Sequence, residues 1–143
     1  VIATDRGFVG VGGYDYAESG DAFYVRDAMV YDAASDSWSL TTKSWDPDAP
    51  RFQSTVWYGN GRLYEWGGRK ADVPRGQPDV FYRSGYVHDF TSKQWSRFEG
   101  GPKARYNTIS AWTGEEALIY GGEWIPPPEG IKTVHTDGAI YRP

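Results

Sequence analysis

The chain has no cysteine. Disulfides and thiolate metal sites are therefore excluded. Histidine is scarce: His88 and His135 are the only two, and neither has a companion at metal-ligand spacing. No metal site is expected. No apolar run approaches the roughly 20 residues that a membrane-spanning helix needs, so no membrane span is expected. No signal-peptide or transit-peptide pattern occurs in the 143 residues. Basic excess is missing too. The 15 Lys and Arg stand against 19 Asp and Glu, a net charge of −4. That balance gives no cationic footprint for nucleic acid. These absences are compatible with any compartment.

What is abundant points one way. Aromatics make up 17% of the chain, with 7 Trp and 11 Tyr. Gly and Pro together number 18 + 9 = 27. Aromatic residues favour pleated, half-buried surfaces, and Gly and Pro punctuate turns. Together they predict many short strands and an all-β chain.

The strands recur. "GFVGVGG" (7–13), "GRLYEWGG" (61–68) and "EALIYGG" (116–122) each end on a glycine pair. The pairs start at Gly12, Gly67 and Gly121, spaced 67 − 12 = 55 and 121 − 67 = 54 residues. "MVYDAASDSWSL" and "YVHDFTSKQWSRF" repeat an aromatic-Asp step and a later Trp, and Trp38 and Trp95 lie 95 − 38 = 57 apart. "RFQSTVWYG" from Arg51 and "RYNTISAWTG" from Arg105 match at a spacing of 54. A fixed period near fifty fits a propeller blade better than a helical solenoid.

The middle copy can be read strand by strand. "STVWY" (54–58) and "RLYEW" (62–66) are strands joined by a tight "GNG" turn. A long loop leads to a third strand within "YRSGYVHDF", then "TSKQ" turns the chain into "WSRF" (95–98). A sheet of four such strands cannot bury its own faces and must stack on neighbours. Trp38 and Trp95 are expected to fill the gaps between stacked sheets.

The glycine pair, the aromatic-Asp step, the following Trp and the Arg that opens the next unit resemble Kelch repeats. The resemblance covers essentially the whole chain. It implies a β-propeller segment of about three four-stranded blades: 1–44, 51–98 and 105–143, the last without its fourth strand. His88 stands where the pattern prefers Tyr. Copies like "RYNTISAWTG…LIYGG" are similar to those of bacterial secreted or envelope proteins, which points to that localisation. Some Kelch relatives carry radical copper chemistry on a Cys cross-linked to Tyr. Without Cys that site cannot be built here, and no cofactor is expected.

Loop lengths suggest a working edge. First-to-second and third-to-fourth turns are short, whereas the second-to-third loops (14–27, 69–83, 123–137) are long. Long insertions on one side of a repeat protein mark its binding side. They carry Tyr14, Arg69 and Trp124, and the link before the second unit carries Trp45. Aromatics and Arg suit a protein surface or a sugar. Arg51 with Gln53, and Arg105 with Tyr106 and Asn107, enter innermost strands. The Kelch resemblance puts such positions near a channel mouth, where they suit an anionic or carbonyl-rich ligand. The alternative is a structural Arg bonding backbone carbonyls. "WDPDAP" (45–50) holds two acids, but its prolines favour a rigid link. "GVGGYD" opens no helix, so a phosphate-cradle reading fails.

Two functions are therefore expected to compete. One is a binding module presenting its loop-rich face to a protein or glycan. The other is part of an enzyme acting on sugars or carrying out oxidation, its site completed by other blades. Val1 aligns with Val56 and Pro143 with Ala33, both inside the repeat. Further blades, from another segment or a second copy, are the expected partners.

Overall fold

The computed structural model describes residues 1–20, 22–25, 27–42, 50–71, 73, 77–126 and 130–143. Among them there is no helix; the chain is all-β, in several small antiparallel sheets. Sheet 1 runs Ile2–Ala3, Gly7–Val11, Asp27–Asp32 and Ser37–Thr42. Sheet 2 runs Thr55–Gly59, Arg62–Trp66, Ser84–Asp89 and Gln94–Glu99. Sheet 3 runs Ile109–Trp112, Ala117–Tyr120 and Gly138–Tyr141. In each, spatial order follows chain order.

Turn chemistry fixes the hairpins. Asn60 and Gly61 both adopt positive φ, 52° and 70°. That is the two-residue turn whose twist matches the flanking strands. The repeated Asp explains itself at the third-to-fourth turns. Asp32 Oδ1 accepts the N–H of Ala34 and Ser35, and Asp89 Oδ1 accepts those of Thr91 and Ser92. Each carboxylate thus replaces strand pairing with a local turn.

The glycine pairs mark where a second strand passes the next unit. Gly67 and Gly68 adopt φ of 71° and 83°. Gly68 N–H donates to Arg105 O, and a Cβ on Gly67 would stand 2.8 Å from that same oxygen. Only a residue without a side chain fits this approach at positive φ.

Alternation along the strands gives every sheet two faces. Sheets 2 and 3 meet over Trp57, Tyr64, Trp66, Ala117 and Ile119. Sheets 1 and 2 meet over Val9, Ala28 and Leu63. The first strands sit closest together: Thr55 Oγ1 donates to Ser110 Oγ, which donates to Val56 O. Trp95 occupies the space between sheets 1 and 2, as expected, its indole N–H donating to Thr41 Oγ1 at 2.8 Å. Trp38 departs from expectation and is 60% exposed. It lies on the face of sheet 1 turned away from sheet 2, where no described residue forms a covering sheet.

Candidate functional site

The second-to-third connections all leave from one edge and are built around short antiparallel ribbons. Tyr14–Tyr16 pairs with Ala22–Tyr24, and Glu123–Trp124 pairs with Thr133–Val134. In the middle unit Arg69–Lys70 pairs instead with the incoming link at Arg51–Phe52. Link and loop therefore share this edge.

Its centre is organised by Arg69. The guanidinium lies 4.2 Å above the Phe52 ring and 5.3 Å from that of Tyr106. Nε donates to Gln53 Oε1 at 3.1 Å, and an Nη donates to Asp79 Oδ2 at 2.9 Å. Phe81 stacks on Tyr106 with ring centres 5.5 Å apart. Planar Arg held between rings and acceptors is a pre-organised fork. Gln53 and Asn107 occupy matching positions, both with left-handed φ (57° and 54°), and Asn107 N–H donates to Gln53 O. Both side chains are exposed. Beside them Glu123 exchanges backbone hydrogen bonds with Tyr106 and pairs with Lys132 at 3.0 Å. The Lys132 contact, then the Tyr106 hydroxyl, holds the Glu123 carboxyl below its ordinary pKa. Burial, then Glu123, raises that of Tyr106.

Gln53, Arg69, Tyr106 and Asn107 thus come together. Trp124 follows Glu123 on the neighbouring ribbon and is half-buried. Tyr14 stands on the sheet 1 ribbon in an edge-on pair with Tyr16, both 63% exposed. Trp45 lies outside the described residues, as does most of "WDPDAP".

Arg51 and Arg105 are buried and direct their donors inward. Arg51 donates to Gly67 O, Ser84 O, Ser84 Oγ and the Tyr86 hydroxyl. Arg105, 0% exposed, donates to Lys103 O, Gly121 O and the Asp137 carboxylate. Each pins the first glycine of its own unit to the start of the third strand. Asp137 is held below its ordinary pKa by the Arg105 hydrogen bond. His135, beside it, is lowered by burial and then by the Arg105 charge. Among the described residues no group of three or more His, Cys, Asp or Glu is placed to hold a metal.

Phe52 beside Arg51 and Asp79 among the loop acids were visible in the sequence, whereas Phe81, which completes the Arg69 patch by stacking on Tyr106, was not singled out. Its signal was the pairing of link with loop, which no local pattern announces. No protein-family model and no curated protein matches the chain.

Proposed function

We propose that the chain is a segment of a Kelch-type β-propeller that works as a binding module, presenting its loop-rich edge to a protein or glycan. The observation that carries this reading is the shared edge. The connections of sheets 2 and 3 and the Arg51–Phe52 link meet around the Arg69, Gln53 and Asn107 group, and the sheet 1 connection presents Tyr14 and Tyr16 exposed. Fixed polar groups flanked by aromatic faces suit selective recognition.

The propeller reading rests on three meanders stacked in series and closest at their first strands. It also rests on the outer faces of the stack. Phe8, Met29, Trp38 and Leu40 on sheet 1, and Ile109, Leu118, Tyr120 and Ile140 on sheet 3, are each 43% to 67% exposed. Apolar sheet faces of this kind call for further sheets, consistent with added blades as partners.

A photo-crosslinking residue at Gln53 or Tyr16 tests the edge. It should capture ligand, whereas the same group at Glu115, in the short turn of sheet 3, should not. Capture from Glu115 alone would reverse the assignment. Chemical turnover of a captured ligand would move the reading to the enzymatic alternative.

A further inference from the structure

A cavity lies away from the loop-rich edge. A cleft of about 760 Å³ separates sheets 1 and 2 and opens among the short turns. That volume is within the range of small-molecule sites, roughly 300–1,000 Å³.

The two junctions are filled differently near their inner strands. Trp57, Tyr64 and Trp66 fill the space between sheets 2 and 3. The matching positions in sheet 1, 55 residues earlier, are Ile2, Val9 and Val11. They pack against the sheet 1–2 cluster. The cleft itself lies further out, mainly against the third and fourth strands of sheets 1 and 2.

The two walls differ in chemistry. On sheet 1, alternation turns Ser37, Ser39 and Thr41 toward the cleft, and Ser35 adds a hydroxyl from the turn. Hydroxyls donate and accept alike. Sheet 2 opposes them with Tyr58, His88, Phe90 and Trp95. His88 packs against Phe90 and Trp95, each with centroids 4.8 Å apart. Thr41 Oγ1 lies 3.4 Å from His88 Nδ1.

Charge at the mouth is nearly balanced. Arg6 pairs with Asp32, Asp5 accepts the Tyr58 hydroxyl at 2.5 Å, and Lys93 completes the rim. Burial lowers the pKa of His88, which keeps it neutral near pH 7. A hydroxyl ladder facing an aromatic wall, without net charge, matches one chemical class: a ring with an apolar C–H face and a rim of hydroxyls.

We propose that the cleft between sheets 1 and 2 binds a neutral saccharide, its ring against the aromatic wall and its hydroxyls on the Ser37–Ser39–Thr41 ladder. This site stands on sheets 1 and 2 alone and is independent of the loop-edge reading.

The test follows the Trp95 indole N–H by nuclear magnetic resonance, assigned with Trp95→Phe. The probes are the methyl glycosides of glucose, galactose and mannose, N-acetylglucosamine and cellobiose, with glucuronate as anionic comparator. At least one neutral sugar should shift the Trp95 signal saturably at millimolar concentration. Ser39→Phe, which fills the cleft, should weaken that sugar roughly tenfold or more, while Tyr16→Ala at the loop edge leaves it unchanged. If Ser39→Phe lowers the melting midpoint, Ser37→Trp nearer the mouth replaces it. Failure of every neutral sugar to shift the signal overturns the proposal. So does binding that ignores the filled cleft, or a response to glucuronate alone.

Discussion

The two inter-sheet interfaces use one scaffold and opposite fillings. Between sheets 2 and 3, Trp57 stacks on Tyr64 with ring centres 5.2 Å apart and planes 4° apart, and Tyr64 lies parallel to Trp112. Tyr141 closes the group edge-on, and Phe98 fills the space over Gly85. Between sheets 1 and 2 the fully buried apolar cluster among the described residues is Val9, Ala28 and Leu63, with Ile2, Val11, Val30, Phe90 and Trp95 half-buried against it. Contact there continues through polar bridges, Trp95 to Thr41 and Tyr58 to Asp5. The first interface has the filling of a core. The second leaves a cleft with polar walls. Both junctions open toward their outer strands, but the space is about 760 Å³ between sheets 1 and 2 and about 390 Å³ between sheets 2 and 3, so side chains set how hollow each junction is.

Removing the solid filling should have the largest effect. Trp57→Ala deletes a ring 1% exposed, and such deletions cost about 3–5 kcal/mol. Urea unfolding should show the loss in its midpoint. An unchanged midpoint would mean that the ring stack contributes nothing. Arg105→Ala comes next. It orphans Lys103 O and Gly121 O, while the Asp137 carboxylate, 64% exposed, regains water. Loss of these charge-assisted hydrogen bonds from a fully buried side chain puts the cost at about 2–3 kcal/mol, and Arg105→Lys should recover only part of it because the fork is lost. Trp95→Ala should cost less, about 2 kcal/mol, since the ring is half-buried beside open space and its indole N–H donates to a hydroxyl. Equal losses for Trp57 and Trp95 would erase the distinction between the interfaces.

Much of the scaffold was legible in the sequence. The glycine pairs, the "GNG" turn and the aromatic-Asp step each act locally, so their spacing carries their meaning. Gln94–Glu99 and Arg62–Trp66 lie within a residue of the strands read from alternation. The site was less legible. Trp38 and Trp95 are equivalent in the repeat, yet what covers each depends on which sheet stands beside it. Arg51 and Arg105 carry the same signature whether they face a ligand or a carbonyl. Asp5 and Tyr58 meet across 53 residues, and only the stacking order brings them together. The cleft lies against Ser37, Ser39 and Thr41, whose meaning needs the face on which each residue lies.

The smallest expected effect uses pH to separate the two junctions. Asp89, which caps the last turn of sheet 2, has its pKa lowered to about 2 by the Ser92 N–H and then by Arg62. A depressed carboxyl contributes stability that is present above its unfolded pKa near 3.8 and is lost as pH falls toward 2. Tyr58, in the hollow junction, is pushed up to about 12, first by burial and then by its bond to Asp5. Its contribution is complete below the unfolded value of 10 and is lost as pH rises toward 12, because the unfolded phenol ionises first. Asp89→Asn should therefore flatten the melting midpoint at the acid end only. Tyr58→Phe should flatten it at the alkaline end only. If Tyr58→Phe leaves the alkaline slope intact, the Asp5 bridge does not hold sheets 1 and 2 together. The hollow junction would then rest on Leu63 and its small apolar neighbours alone.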